Sequence, residues 1–386
     1  MKFSCNTTEF LQAIQLASRA ISNQQALPIL GNILFKAEGS VCTVSATDLE
    51  LSIITTCNAN IESEGSITIP AKAILNFAQY NNDPEIILET IEGTQLRCMS
   101  KHSKTMLSGE SASEYPSIPS VEKKVSFKLD AAPLLEALNL VTFACARTSL
   151  RPVLSGVYVR AEGSSLVFVS TDSYRLSECS ITTNGGGDIS CIIPVKVLEE
   201  LKMMLASKKP PKRTETEEHE KQGTREEAIP VSITLSAQQL EVEVDKVRLV
   251  SRLIEGKFPD YKQIIPKDAT CRALLSTRDL TTAVKRMHYF AKEVNNNLTF
   301  TLKGAEAHIA TPQTQLGKDE TTITADIKGE EGKIALSSSY LLDFLSHINT
   351  ETIELQVTDS MHPAVFKIPG NVKFLHLIMP LRLQES

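Results

Sequence analysis

The chain has 386 residues, of which 42% are hydrophobic and 22% are charged, and its formal net charge at pH 7 is −6. These values are typical of a globular protein of two or three domains, and they argue against a protein that coats nucleic acid through a strongly basic overall charge. No apolar segment reaches the ~18 residues of a membrane-spanning helix, and the start of the chain lacks the layout of a secretory signal, so we expect a cytoplasmic location and no membrane partner.

The first elements in chain order introduce a pattern that recurs later. The segment MKFSCNTTEFLQAI predicts a short strand followed by a helix, and VSFKLDAAPLLEAL, which starts at Val125, repeats it with Phe127 on Phe3. The same shift of 124 residues places Thr171-Asp172 on Thr47-Asp48 and IPVKVLEEL on IPAKAIL. Several matches at one offset indicate a tandem repeat.

A third copy follows at a larger offset. VSRLIEGKFPDY matches LSGESASEYPSI with a shift of 143, so 19 further residues lie between the two segments. Residues 207–228 account for this length, and they carry six basic and six acidic side chains with almost no apolar ones. We predict a disordered insertion there, because such a segment cannot offset the entropy of ordering.

The predicted fold class is α+β, with three tandem domains at 1–124, 125–252 and 253–386. Each copy begins with a strand, crosses into a helix, continues through alternating strands and has a second helix near its middle. Asn6, Asp130 and Ser276 are predicted helix caps, and the first and last precede Glu9 and Asp279 by three residues.

Residues with catalytic or metal-binding potential are scattered. The seven histidines form no i, i+4 pair, no catalytic or phosphate-binding motif occurs, and the eight cysteines form no C-x-x-C pair. Most of the cysteines are expected to be small, buried and reduced. The sequence therefore predicts no catalytic constellation, no metal site and no cofactor.

Two carboxylate positions leave alternatives open. Asp48 and Glu50, with Asp172 as the repeat of Asp48, fit either acid–base chemistry or a turn in which the recurring aspartate bonds nearby backbone N–H groups; the recurrence favours the turn. The run Gly185-Gly186-Gly187 precedes a strand, which favours a hairpin loop over a phosphate cradle.

Basic residues recur at matched places. Lys72 and Lys196 both stand at the start of the second helix of their repeat, while Arg147 and Arg151 flank a junction in the second repeat. Alone, each fits an ordinary surface charge. In a repeat architecture, matched positions share one geometrical face, which makes a common role more plausible.

The end of the chain, FLHLIMPLRLQES, is almost continuously apolar. It fits either a last core strand or a surface on which another molecule docks. From the residues alone the core strand is favoured.

Five motifs together resemble one family. These are LPILGNILF at 27–35, TDLEL at 47–51, TDSYRL at 171–176, GKFPDY at 256–261 and MPLRL at 379–383. In this order, from Met1 to Leu383, they resemble the bacterial DNA polymerase III beta subunits, the replicative sliding clamps. The resemblance implies three similar α+β domains per chain and a head-to-tail homodimer that closes into a ring, with sheets outside and helices lining the hole.

The function that the resemblance implies is processivity in DNA replication, without chemistry of its own. The ring would encircle duplex DNA without sequence preference and tether the DNA polymerase III catalytic subunit. A clamp loader, other polymerases and repair proteins are further implied partners. A clamp specialised for repair or plasmid replication, or an enzyme that uses Asp48, Glu50 and Asp172, are the alternatives.

The resemblance also implies a hydrophobic pocket that binds short extended peptides. Its lining would be Leu154, Thr171, Ser173, Tyr174, Arg175, Leu176, Pro259, Gln263, Ile264, Ser337, Tyr340, Met361, Pro363, Leu377, Met379, Pro380, Leu381 and Arg382. This would divide the terminus, with Leu377 in a strand and 379–381 in the pocket. The chain departs from the family pattern at Ser173-Tyr174, where Gly-His is common, at Gln263, and at 384–386, which extend past the usual terminal leucine.

Two further surfaces follow from the resemblance. Lys72, Arg147, Arg151 and Lys196 would face the DNA, although Gln24, Gln25 and Pro152-Val153 replace basic and tyrosine residues common in the family. Tyr289 and Phe290 would pack against the neighbouring chain near Met106. Ordinary helix burial is the alternative for this aromatic pair.

Overall fold

The computed structural model describes residues 1–22, 27–92, 94–148, 150–183, 189–207 and 229–383. Several predictions fall outside these ranges. They concern Gln24 and Gln25, the glycine run 185–187, the insertion from residue 208 to 228, and residues 384–386.

The helices follow the predicted plan of two per repeat. Within the described residues they are α1 Thr7–Ser18, α2 Ala71–Gln79, α3 Ala131–Val141, α4 Val195–Ser207, α5 Thr277–Ala291 and α6 Ser338–Leu345. None of these helices is long and apolar enough to cross a membrane.

Two predicted helix caps are confirmed. The Asn6 side chain accepts hydrogen bonds from the N–H groups of Thr8 and Glu9 at 3.0 and 3.1 Å. Ser276 Oγ accepts one from the Asp279 N–H at 3.3 Å. These bonds satisfy N–H groups that have no partner inside the helix, so they fix where each helix begins.

The described strands number eight in each repeat. The first repeat contains β1 Lys2–Asn6, β2 Asn32–Glu38, β3 Val41–Thr47, β4 Leu51–Ser63, β5 Gly65–Pro70, β6 Glu85–Ile91, β7 Gln95–Met99 and β8 Lys104–Ser108. The second contains β9 Val125–Asp130, β10 Gly156–Glu162, β11 Ser165–Thr171, β12 Arg175–Thr182, β13 Ser190–Pro194, β14 Pro230–Leu235, β15 Gln239–Val244 and β16 Val247–Arg252. The third contains β17 Cys271–Ser276, β18 Asn297–Lys303, β19 Glu306–Ala310, β20 Glu320–Gly329, β21 Gly332–Ser337, β22 Thr352–Val357, β23 Ala364–Ile368 and β24 Asn371–Ile378.

Aromatic and aliphatic side chains between helices and sheets form the core. In the first repeat, α1 buries Phe10 and Ile14, and the ring of Phe10 stacks on that of Phe35 in β2 at 5.7 Å. The cysteines follow the same rule, since all eight are free and all except the half-buried Cys191 are buried. Burial of such side chains is the main favourable contribution to folding.

The last strand of a repeat pairs with the fourth strand of the repeat before it. β16 runs antiparallel to β4, with Leu249 opposite Ile53. β24 runs antiparallel to β12, with Leu377 opposite Leu176. Sheets therefore continue across the borders between repeats.

The chain divides into two compact units that do not coincide with the repeats. One contains residues 1–131 and the described residues from 229 to 253, and the other contains 132–207 and 254–383. The second repeat contributes strands to both units. All eighteen predicted pocket residues lie in the second unit.

Candidate peptide-binding site

A tight turn between β11 and β12 forms one side of the candidate site. Thr171 Oγ1 donates to the Arg175 carbonyl at 2.6 Å and accepts from the Ser173 N–H at 3.1 Å. Asp172 Oδ1 accepts from the N–H groups of Tyr174 and Arg175 at 2.9 and 3.0 Å. The backbone is bent so tightly that Ser173 has φ 79°, in the left-handed region.

The first repeat contains the same turn. Asp48 Oδ1 accepts from the N–H groups of Glu50 and Leu51 at 3.1 and 2.8 Å, and Thr47 Oγ1 accepts from Leu49 at 3.0 Å. Leu49, which corresponds to Ser173, has φ 77°. The prediction that the recurring aspartate builds a turn is therefore confirmed, and this role explains its recurrence without catalysis.

The side chain of Arg175 is enclosed by acceptors. It is 5% exposed, and its guanidinium donates to Asp172 at 3.0 Å, to Asp343 at 2.6 Å and to the Phe143 carbonyl at 2.8 Å. These hydrogen bonds are charge-assisted and largely shielded from water, so they are strong and depend closely on the positions of their acceptors. Arg175 therefore connects the turn to α6 and to the segment after α3.

Two tyrosines stack at the surface beside this arginine. The Tyr174 and Tyr340 rings lie 6.3 Å apart and 20° from parallel, and the Arg175 guanidinium carbon lies 4.9 Å from the centre of the Tyr340 ring. Tyr174 is 62% exposed. Partial burial raises the pKa of Tyr340, with a further contribution from the charge of Asp172, so its hydroxyl stays protonated at neutral pH. The pair offers a flat apolar surface with polar tips to a ligand.

An apolar cluster lies beneath the turn. Leu154, Leu176 and Leu377 are buried together with Phe258 and Tyr261, which belong to the GKFPDY motif. The Tyr261 hydroxyl donates to Glu178 and lies 3.3 Å from two nitrogens of Arg160. This link between the second and third repeats thus fills space beside the site with its own aromatic side chains.

The end of the chain completes the other side. β24 ends at Ile378, and the Met379 N–H donates to the Tyr174 carbonyl at 2.8 Å. Leu377 belongs to the strand, as predicted. Met379 and Pro380 lie just beyond it and are half-buried, so part of their surface remains accessible.

A buried histidine lies two residues before the end of β24. His376 is 0% exposed, its Nδ1 lies 2.7 Å from Ser177 Oγ, and its ring stacks on Phe344 at 4.5 Å. Burial, followed by the positive charge of Arg175 and the proximity of His347, holds the pKa of His376 well below its usual value of 6.5. The imidazole is therefore neutral in the folded protein.

The predicted pocket residues differ widely in exposure. Seven are buried, namely Leu154, Thr171, Arg175, Leu176, Ser337, Pro363 and Leu377. Four are half-buried, namely Tyr340, Met379, Pro380 and Leu381. Seven are exposed, namely Ser173, Tyr174, Pro259, Gln263, Ile264, Met361 and Arg382. For Gln263 and Met361 the hydrogen bonds are local, to Asp260 at 2.7 Å and to Asp359 at 2.7 Å.

The residues predicted to face DNA or a second chain are mostly accessible. Lys72, Arg147, Arg151 and Lys196 are exposed, and the two lysines are each the second residue of their helix. Met106 lies in β8 and is 46% exposed. In α5, Tyr289 is exposed and Phe290 is half-buried, and their rings meet edge to face at 5.5 Å.

Several residues that build the site were missed by sequence reasoning. Asp343 and Phe143 hold Arg175, and Asn297 contacts the end of the chain. Asn297 could have been noticed, because NNLTF in the third repeat matches GNILF in the first and places Asn297 on Asn32. Asp343 carried no such signal, because its partner is 168 positions away.

Three repeats of two helices on antiparallel sheets, joined through shared strands, define the class of DNA sliding clamps. Three family models match the chain: DNA polymerase III beta subunit, N-terminal domain at 1–119, central domain at 128–220 and C-terminal domain at 262–382. The chain belongs to the family of bacterial DNA polymerase III beta subunits. Its function is that of a DNA sliding clamp, a non-catalytic processivity factor of the polymerase.

Similar proteins cover the whole chain. The beta sliding clamp of Synechocystis is 30% identical over 406 residues, spanning 99% of this chain and 100% of the relative. The beta sliding clamp of Haemophilus influenzae is 26% identical and spans 99% and 100%. The crystal structure of the DNA polymerase sliding clamp from Bacillus subtilis superimposes with a TM-score of 0.90 at 25% identity, covering both chains completely.

Proposed function

We propose that two copies of this chain join head to tail into a closed ring around duplex DNA, and that the three repeats at 1–124, 125–252 and 253–386 supply its six units. An ATP-driven clamp loader opens the ring in the cytoplasm. The closed ring then tethers the DNA polymerase III catalytic subunit, and other polymerases and repair proteins compete for the same peptide-binding site.

The observation that carries the ring proposal is the pairing rule between repeats. β16 pairs with β4, and β24 pairs with β12. The rule requires a partner for β8, the last strand of the first repeat, and for β20, the fourth strand of the third. Within the described chain, one edge of β8 pairs with β7 and its other edge faces no strand. The first half of β20 likewise pairs with β19 on one edge, and its other edge faces no strand.

A second copy satisfies both edges at once. β8 of one chain would pair with the first half of β20 of the other, as β16 pairs with β4 and β24 with β12. Two such contacts, related by a twofold axis, close the ring and remove the exposed sheet edges. Met106 in β8 and Tyr289 and Phe290 in α5 would pack at this seam.

The basic residues support the DNA-facing surface. Lys72 and Lys196 stand at matched positions near the beginning of α2 and α4, and Arg147 and Arg151 are also exposed. A few dispersed cations attract phosphates without binding any of them tightly, which suits a ring that slides. This distribution is compatible with a net charge of −6.

The peptide-binding role is supported by the surface between the turn and the end of the chain. There the stacked pair Tyr174 and Tyr340 adjoins the half-buried Met379, while Leu176 and Leu377 form an apolar layer beneath. Polarisable and aromatic side chains suit a surface that receives several different peptides.

Retention on circular DNA tests the ring. The protein is loaded by a clamp loader onto a nicked circular plasmid, and release at high salt is followed before and after the plasmid is cut. Retention on the circle and loss from the linear form are expected, because topological linkage is insensitive to salt whereas phosphate contacts are not. Equal release from both forms would refute encirclement.

A further inference from the structure

The segment 379–383, which follows β24 and which we call the tail, forms two hydrogen bonds with the third repeat. The Leu381 N–H donates to the carbonyl of Ala335 in β21 at 2.8 Å. The side-chain amide of Asn297 donates from Nδ2 to the Arg382 carbonyl at 3.1 Å. β21 is the last strand of its sheet, so the tail lies against an edge that would otherwise be unpaired.

Asn297 is built into this position. It is the first residue of β18 and is 4% exposed, and its Oδ1 atom has no hydrogen-bond partner among the described residues. The orientation of the amide is set by the Arg382 carbonyl, because only the NH₂ group can donate to it. A buried amide that donates to the Arg382 carbonyl indicates a role in fixing the tail.

The first repeat uses the same position for a related contact, in which the acceptor is a side chain. Asn32, the first residue of β2, donates from Nδ2 to Glu110 Oε1 at 2.9 Å, just after β8 ends. The Glu110 N–H donates to the carbonyl of Thr68 in β5 at 3.0 Å. The first residue of the second strand thus fastens the segment that leaves the last strand.

The second repeat reaches the same result without an amide. Its corresponding residue is Gly156, where a Cβ atom would lie 2.6 Å from the Ile193 carbonyl oxygen and 2.8 Å from Cδ1 of Ile254. The leaving segment packs directly on this glycine, and the Ile254 N–H donates to the Ile192 carbonyl at 2.8 Å. In the first two repeats, the segment held in this way continues as the link to the next repeat. In the third repeat, it includes Met379–Leu381 of the peptide-binding site.

We propose that Asn297 is a positioning residue of the peptide-binding site: it holds the tail so that Met379–Leu381 form a fixed wall beside Tyr174 and Tyr340. The proposal rests on the peptide-binding role proposed above. Asn297 acts through Arg382 and does not contact the peptide. When residues 379–381 are already ordered in the free protein, less conformational entropy is lost as the peptide binds. Substitution of Asn297 should therefore weaken peptide affinity although every residue that contacts the peptide is retained.

Two variants and one matched control test this in the full-length protein. Asn297→Ala removes the donor, and the isosteric Asn297→Asp places an acceptor against the Arg382 carbonyl. Asn32→Ala removes the equivalent amide of the first repeat, which serves a link and not the site. Hydrogen exchange at the Leu381 N–H reports on the tail, and fluorescence anisotropy of a labelled peptide copying the clamp-binding segment of the cognate polymerase reports on the site.

Both Asn297 variants should lose protection at Leu381. Asn297→Ala should bind the peptide about fivefold more weakly, the effect of one buried hydrogen bond, and Asn297→Asp at least as weakly, because its acceptor repels the Arg382 carbonyl. Asn32→Ala should leave both readouts unchanged. Unchanged protection at Leu381, or equal weakening by Asn32→Ala, would overturn the proposal. If the unmodified protein does not bind the peptide, the peptide-binding role fails, while the exchange data still decide whether Asn297 holds the tail.

A truncation after Leu381 distinguishes positioning from general damage. It removes the Arg382 carbonyl, so Asn297→Ala should cause no further loss of peptide affinity in the truncated chain. A second, additive loss would show that Asn297 acts through the fold of the third repeat, and the proposal would be wrong.

Discussion

Arg175 donates to the carboxylate of Asp343 at 2.6 Å, which joins β12 of the second repeat to α6 of the third. The arginine is almost fully buried and its remaining bonds go to Asp172 and the Phe143 carbonyl. With its polar atoms engaged in this way, Arg175 serves the site by holding the turn and the Tyr340 ring in place.

Arg175→Ala should therefore destabilise the protein strongly. It leaves two carboxylates and a carbonyl without their shared donor, and loss of one partner from such a buried network costs about 3 kcal/mol. The free energy of unfolding from urea titration measures the effect. Arg382→Ala, at an exposed arginine of the same site, should change it by less than about 0.5 kcal/mol. Equal effects of the two substitutions would contradict this role for Arg175.

Ser173→Gly should stabilise the protein. The left-handed backbone at φ 79° costs a residue with a Cβ atom about 1 kcal/mol, and glycine avoids this cost. Part of the gain is offset by the greater freedom of glycine in the unfolded chain, so a net gain of about 0.5 kcal/mol is expected. Thermal unfolding measures it.

Ser173→Ala is the matched control, because alanine removes the hydroxyl but keeps the Cβ atom. It should give no gain. Leu49→Gly in the first repeat, where φ is 77°, should reproduce the stabilisation of Ser173→Gly. A gain from alanine equal to that from glycine would mean that backbone strain is not the cause.

Stability should fall as the pH is lowered through the usual pKa of histidine. The pKa of His376 is held well below 6.5 in the folded protein, so only the unfolded chain takes up this proton as the pH drops below 6.5. The neutral ring therefore makes its full contribution to the free energy of unfolding above pH 6.5. Below pH 6.5 this contribution declines by up to about 1.4 kcal/mol per pH unit.

His376→Asn should reduce this slope, which urea titrations between pH 7.5 and 5.5 can measure. Asparagine removes the titrating group and retains a polar atom near Ser177. The same substitution at His308, which is partly exposed in β19, controls for loss of an imidazole elsewhere. A slope that is unchanged in His376→Asn would show that other groups cause the acid sensitivity.

Local features of the fold were predictable because they depend on neighbouring residues. The caps at Asn6 and Ser276 and the recurring turn at Asp48 and Asp172 rely on side chains that bond backbone groups two or three positions away. The repeat itself was visible because matched residues keep matched spacing. Each of these signals is contained in a short segment of sequence.

Long-range pairings carried no comparable signal. Nothing in the alternation of β24 indicates that it joins β12, and the burial of Arg175 depends on Asp343 in a different repeat. The predicted pocket rests on the resemblance to the clamp family, since composition and spacing alone favoured a core strand for the terminus. The structure confirms that Leu377 belongs to the last strand, β24. The hydrogen bond from Asn297 to Arg382 was not predicted from the sequence.

Met106→Asp should separate the proposed dimer. Met106 is 46% exposed in the single chain and lies in the edge strand β8, so the charge can stay hydrated in a monomer but would be buried in the seam. Loss of the buried methionine surface together with the cost of desolvating a charge amounts to about 3 kcal/mol at each of the two seams, so the dimer Kd should rise by about four orders of magnitude. Sedimentation equilibrium over a dilution series measures this change.

Val372→Asp provides the comparison, because Val372 is also exposed and apolar but is the second residue of β24, beside the turn that follows β23. It should leave the dimer Kd and retention on circular DNA unchanged, whereas Met106→Asp should lose both together. Since the half-exposed Met106 contributes little to the core of its own repeat, the unfolding midpoint of a dilute sample should barely change. If Met106→Asp sediments as wild type does, β8 is not at the seam, and pairing between β8 and β20 is ruled out as the way in which the ring closes.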